Sequence, residues 1–244
     1  MKIPSIKGII KRRILINYRV NPCVIQKILP SPFRPKIHNG KAIAGICLIR
    51  LEHIRPKYMP EFVGISSENA AHRIAVLWEA ENGKTHEGVY VPRRDTDSFI
   101  NAAVGGKLFS GEHHKANFKV EEYADKLDFT MKSDDQKISI NFSGTISDTF
   151  PKNSIFSSLD AASRFFETGS LGYSPSKNIK KLDGISLQIE NWNVSAFDTD
   201  RVYSSFYNDE KVFPNGSIAF DHALFMQNIV HEWHNAASFE LNLV

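Results

Sequence analysis

The sequence is poor in the features that would mark a stapled, membrane-spanning or nucleotide-binding chain. Only two of its 244 residues are cysteine, Cys23 and Cys47, so a disulfide scaffold is excluded and a reduced, cytoplasmic setting is the simplest expectation. No apolar run approaches the roughly 20 residues that a membrane helix needs. No secretion signal is read at the start, because Gly8-Ile9-Ile10 is broken at once by Lys11-Arg12-Arg13. The chain has no Gly-x-Ser-x-Gly elbow, no phosphate loop and no Rossmann fingerprint, so no cofactor is expected. His231-Glu232-Trp233-His234 lacks the histidine spacing of a zinc-protease helix, and no metal is expected on that ground. Internal repeats, low-complexity stretches and linkers are absent too, which leaves one domain over residues 1–244.

Acidic residues are missing from the first fifth of the chain. Lys2, Lys7, Lys11, Arg12, Arg13, Arg19, Lys27, Arg34, Lys36, Lys41 and Arg50 all precede Glu52, the first acid, although the net charge is only +3. These cations either solvate the outer face of early strands or form an electropositive mouth for an anionic ligand. They are neither interleaved with aromatics nor set on one helix, so nucleic acid is not the expected partner.

What the chain has is a hydrophobic fraction of 42%, enough for a full core, arranged mostly with strand periodicity. Ile14, Ile16, Tyr18 and Val20 alternate. Asn21-Pro22 reads as a helix cap followed by proline at the first helical position. Ala42 to Leu51 is almost continuously apolar and reads as a strand buried on both faces. Ile74–Trp78 and Gly88–Val91 are strands around an Asn82-Gly83 turn. Asp95-Thr96-Asp97-Ser98 reads as a helix start with Gly105-Gly106 as its stop. Ala116–Val120, Leu127–Lys132 and Ile138–Ile146 follow as strands, Ser158–Glu167 as a helix, and Ile185–Val194 and Arg201–Tyr207 as strands. The expected fold is β-rich α+β: a closed or cone-like antiparallel sheet with an internal cavity and a few short helices. Exposed edge strands and the Ala42–Leu51 run leave room for a homo-oligomer.

Five of the nine histidines fall in two clusters, His113-His114 and His222, His231 and His234. Alternation along a strand beginning near His113 puts His114, Ala116, Phe118 and Val120 on one face and His113, Lys115, Asn117 and Lys119 on the other. The apolar row should face inward, making His114 its polar member, either a hydrogen-bonded core histidine or a cavity histidine. Glu68, among the small residues of Ser66-Ser67-Glu68-Asn69-Ala70, is a second candidate beside its reading as an exposed loop carboxylate.

These segments resemble the acetoacetate decarboxylase superfamily, in particular its large bacterial branch of unassigned function. The resemblance runs through Tyr18-Arg19-Val20 to Leu29-Pro30, through Gly64–Val76 and Gly88–His114, and through Phe220-Asp221-His222-Ala223-Leu224 and His231-Glu232-Trp233-His234. It implies a cone-like closed sheet around a cavity. In the decarboxylases a lysine forms a Schiff base with a β-keto acid, a known case of a desolvated, activated lysine. The resemblance places the acidic cavity residue at Glu68, the cavity arginine near Lys11 with a slip to Arg12 or Arg13, and the Schiff-base position at His114. An imidazole cannot form the iminium. The first expectation is therefore an enzyme acting on a small carbonyl or carboxylate compound without Schiff-base chemistry. Glu68 and His114 would be its acid–base pair, with Lys11, Arg19 and His113 binding the substrate. The alternatives are a non-catalytic binder using the same cavity, and a Schiff-base lyase in which a bulge brings Lys115 into it.

Overall fold

The computed structural model describes residues 5–80, 82–98 and 111–241. Thirteen strands in those residues form one sheet. The first is β1 (Ile6–Val20), followed by the short helix α1 (Pro22–Gln26), whose Asn21 side chain accepts from the Cys23 N–H. Two short strands, β2 (Arg34–Pro35) and β3 (Ile37–His38), lead to the long pair β4 (Lys41–Pro56) and β5 (Ile65–Glu79). Then come β6 (Thr85–Thr96), β7 (His114–Tyr123), β8 (Lys126–Ser133) and β9 (Ser139–Ser147). Helix α2 (Leu159–Glu167) is capped by the Ser158 hydroxyl and followed by β10 (Leu171–Pro175), β11 (Lys181–Ile189), β12 (Ser195–Ser204) and β13 (Ile218–Glu240).

The strand order β11-β10-β6-β7-β8-β9-β12-β13-β1-β4-β5-β2 is closed by two further pairings, β5 with β6 and β11 with β13. The expected closed, strand-rich sheet with few short helices is therefore present. It is a mixed sheet, because β6 runs parallel to both β7 and β10. Two circuits share β13, β1, β4, β5 and β6. One returns through β7, β8, β9 and β12, and the other through β10 and β11.

Alternation sorts the shared strands onto the two circuits. Ile14, Leu48, Ala70 and their neighbours face the first, where Phe129, Phe142 and Phe197 fill a dry core. Leu15, Cys47, Ala71 and Leu224 face the second, closed over by Phe166 of α2 with Phe156 and Trp192. The Ala42–Leu51 run is apolar on both faces because each face meets a different interior. A charged residue on the second face therefore enters a small, partly filled volume.

The helix expected from Asp95–Ser98 through Gly106 lies mostly outside the described residues. Asp95 and Thr96 themselves end β6 as strand, with Asp95 opposite His114. The Ser158–Glu167 helix is seen almost as read. The segment from Ile218, which carries His222, His231 and His234, is a 23-residue strand serving both circuits. Among the described residues no helix is long and apolar enough to cross a membrane.

Candidate functional site

A pocket of about 80 Å³ opens on the second interior. Its walls are Ile49 and Leu51 of β4, Asn69, Ala70 and Ala71 of β5, Arg94 and Asp95 of β6, Ile185 of β11 and Trp233 of β13, with His113 at the entry to β7. That volume suits a small organic acid rather than a nucleotide, for which sites are several times larger.

Cross-strand register explains the arrangement. Leu15, Cys47, Ala71 and Arg94 stand opposite one another on four successive strands. The small Ala71 leaves space beside Arg94, whose Nε donates to Ser174 Oγ at 2.9 Å. Burial pushes the Arg94 pKa down to about 10, so it keeps its charge at neutral pH. Among the described residues no carboxylate pairs with it.

His113 is held by its own turn. Its Nδ1 donates to the Gly111 carbonyl at 3.2 Å. Gly111 has φ +89, and a Cβ there would come within 2.5 Å of the Ser174 side chain, so the turn requires glycine. Burial, then the charge of Arg94, pushes the His113 pKa down to about 3. The imidazole is neutral with its proton on Nδ1, which leaves Nε2 a lone pair.

The other residues singled out in the sequence are placed elsewhere. Ala116 is buried in the first core and Phe118 and Val120 pack against it, and His114 heads that row, half-buried. Glu68, two residues from Ala70 on the same face, meets Arg12 at 2.6 Å and Arg50 at 3.7 Å. Its carboxyl is raised by burial, against the charges of Arg12 and Arg50. Lys115 donates to the main-chain carbonyl of Asp97. Lys11 is exposed, and Arg19 reaches Asp221 at 3.1 Å and the Asn153 carbonyl at 3.0 Å. Of the candidates, then, His113 alone lines this pocket. Among the described residues no cluster of three histidine, cysteine or acidic side chains is placed to hold a metal.

Arg94, Asn69 and Trp233 were not singled out from sequence. A signal existed for the arginine: Arg94 follows the apolar Val89-Tyr90-Val91, and a charge set into such a strand must face either solvent or a polar hollow.

Over residues 10–215 the sequence matches the DUF2071 family, described as an uncharacterized conserved protein. The chain belongs to the DUF2071 family. The match runs from within β1 through β12 and so takes in Asn69, Arg94 and His113, while Trp233 lies beyond it. Curated proteins offer no match to this DUF2071 chain. Solved structures do. An acetoacetate decarboxylase from Legionella pneumophila is 14% identical with a TM-score of 0.61, covering 96% of this chain and 88% of its own. The enduracididine biosynthesis enzyme MppR, complexed with pyruvate, is 9% identical with a TM-score of 0.61, over 98% and 90% of the two chains. An acetoacetate decarboxylase-like enzyme from Sphingomonas wittichii RW1 is 10% identical with a TM-score of 0.61, over 99% and 94%. At these identities the likeness establishes the fold, and this DUF2071 protein has that of the acetoacetate decarboxylase group.

Proposed function

We propose that the protein binds a small compound carrying both a carboxylate and a carbonyl in the Arg94–His113 pocket, and acts on it without a covalent lysine intermediate. The observation that carries this is a half-buried arginine on a small pocket whose one described lining carboxylate, Asp95, is taken by Arg93 at 2.7 Å. A guanidinium so placed is costly unless an anion meets it. Pyruvate in the fold relative MppR suggests the ligand class.

The chemistry would fall to His113. Burial and the charge of Arg94 keep its imidazole neutral. A carboxylate seated on Arg94 would offset that arginine's charge, raise the basicity of Nε2 and suit it to take a proton from carbon beside the carbonyl. The resulting enolate would share the charge of Arg94. Among the described residues no lysine lines the pocket, so Schiff-base chemistry through Lys115 is not part of this reading. The Glu68 carboxylate is assigned to holding Arg12 and His114 to the head of the apolar row.

Thermal melts with pyruvate test the binding. Millimolar pyruvate should raise the Tm by several degrees, since a ligand at 100 times its Kd stabilises by about 2.7 kcal/mol, and Arg94→Gln should abolish the shift. Exchange of the pyruvate methyl protons in heavy water, followed by NMR, tests the chemistry: wild type should exchange them and His113→Ala should not. An unchanged Tm in wild type would sink the reading.

A further inference from the structure

Three arginines face the second interior without a described carboxylate on any of them. Arg12, Arg19, Arg34, Arg50, Arg93, Arg164 and Arg201 each have an acidic partner. Arg13, Arg73 and Arg94 do not, and nor does Arg55, which donates to the His53 and Met59 carbonyls. Arg13 instead donates from Nε to Cys47 Sγ at 3.4 Å and lies over the Trp192 ring at 5.9 Å. Arg73, only 4% exposed, donates to Asn17 Oδ1 and lies over the Phe166 ring at 4.8 Å. Buried guanidinium nitrogens remain without partners on both, Nη1 of Arg13 and Nε of Arg73.

Cys47 stands in the middle of the three. Arg94 shares its cross-strand row, Arg13 lies two residues away on β1, opposite Ile49, and Arg73 two residues away on β5, opposite Gly45. Gly45 and Ala71 keep the surrounding positions small. Three like charges in one low-dielectric volume repel each other strongly, and hydrogen bonds to neutral groups do not remove that charge.

Free space reaches two of the three arginines, Arg94 in the first pocket and Arg13 in a second, while Arg73 and Cys47 line neither. Beyond the Arg94 pocket lies a second hollow of about 510 Å³, lined by Arg13, Phe166, Leu187, Ile189 and Trp192. Ile185 lines the first pocket and Leu187 and Ile189 the second, so the two follow one another along one face of β11. His231 is paired in register with Ile189, is 1% exposed, and neither ring nitrogen has a partner of good geometry. The carboxyls nearby do not neutralise the cations: Glu167 and Glu190 are exposed at the rim of the second hollow, and Asp95 is paired with Arg93 at 2.7 Å.

We propose that the ligand is a short-chain dicarboxylate, with one carboxylate on Arg94 beside His113 and the other on Arg13 next to Cys47, with the charge of Arg73 behind it. Arg13 meets Cys47, and Cys47 shares the cross-strand row of Arg94, so the two acid groups would lie to either side of the thiol. The inference rests on the carboxylate reading above and narrows it to a class carrying two negative charges.

Isothermal titration at pH 7.5 can separate the two. 2-Oxoglutarate is compared with 2-oxopentanoate, which has the same chain length but lacks the second carboxylate. One added charge-assisted pair corresponds to about tenfold in Kd, so the dicarboxylate should bind at least about tenfold tighter. Arg13→Gln should remove that advantage and leave the 2-oxopentanoate Kd within about twofold. Arg73→Gln, checked by circular dichroism for folding, should do the same. Equal affinities in wild type would overturn the dicarboxylate and leave the single-carboxylate reading standing. A dicarboxylate advantage that survives in Arg13→Gln would overturn the placement of the second acid group. Failure of both compounds to bind would overturn both readings.

Discussion

Arg12 Nη2 lies 2.6 Å from Glu68 Oε2, with the two side chains 4% and 12% exposed. Arg12 also pairs with the half-exposed Glu122. This is a buried ion pair neither of whose residues lines the Arg94–His113 pocket, so its loss should read out as stability. Removing one partner of a buried pair leaves the other charge uncompensated, at a cost of about 3–5 kcal/mol. With Glu122 retained, Glu68→Gln should fall near the lower end, about 3 kcal/mol in urea unfolding, while the folded variant keeps its affinity for pyruvate. Full stability with lost binding would instead place Glu68 in the ligand site.

Much of the architecture could be read from the residues, and the physical reason is the strength of the strand signals. The Ala42–Leu51 run was apolar on both faces, Asn82-Gly83 carried a turn glycine at φ +76, and Ser158 preceded an amphipathic helix. The site was harder to read because alternation sorts side chains into two sets without saying what each set meets. It put His114 with Ala116, and the structure gives that row a filled aromatic core, while His113 enters the pocket from an irregular turn just before β7 where alternation does not apply. Arg73 and Arg94 were hidden for another reason: their significance comes from strands β5 and β6 meeting β10 and β11 around a second interior, a long-range closure that no local pattern encodes.

Buried histidines should make the fold sensitive to mild acid. Burial holds His72 and His113 near pKa 3 and His231 near pKa 4, against an ordinary 6.5. The folded state therefore refuses protons that the unfolded chain accepts, and stability falls as pH drops below 6.5 until each folded pKa is reached. At pH 5.5 each such group costs about 1.4 kcal/mol. Glu68 and Asp95, whose carboxyls burial raises, work in the opposite direction at lower pH. Between pH 7.5 and 5.5 the histidines dominate, and the Tm should drop by roughly 10 °C, at about 2–4 °C per kcal/mol for a chain of this size. A Tm flat across that interval would show that these imidazoles are protonated in the native state or open readily to water.

The lysine chemistry of the wider fold group gives a clean negative experiment. Lys115 directs its ammonium to the Asp97 carbonyl, and the Asp97 N–H in turn bonds the Glu68 carbonyl at 3.1 Å. A Schiff base needs a neutral amine in contact with the carbonyl carbon. Incubation with acetoacetate or pyruvate and borohydride, followed by peptide mass spectrometry, should leave Lys115 unmodified, and Lys115→Met should bind pyruvate as wild type does. A reduced adduct on Lys115 would establish an iminium route and displace His113 as the acting base.

Tyr207 ties down the strands that carry Arg73 and Cys47. Its hydroxyl accepts from the Gly45 N–H at 3.0 Å and has the carbonyls of Gly45 and Arg73 at 2.9 and 3.0 Å as acceptors for its single proton. The ring packs on Tyr18 at 4.8 Å between centroids. Gly45 cannot carry a side chain, because a Cβ would lie 2.1 Å from the Ile16 carbonyl oxygen, so β1 and β4 approach closely here and the phenol links β4 to β5. Tyr207→Phe keeps the ring contacts and strands these main-chain groups, at a cost of about 1–3 kcal/mol. Because the Arg73 backbone is one of the groups held, the variant should also bind 2-oxoglutarate more weakly while its affinity for 2-oxopentanoate changes little. Calorimetry on the folded variant distinguishes this from a general loss of stability, which would weaken neither ligand selectively. Equal weakening of both would mean that the hydroxyl supports the sheet as a whole rather than the position of Arg73.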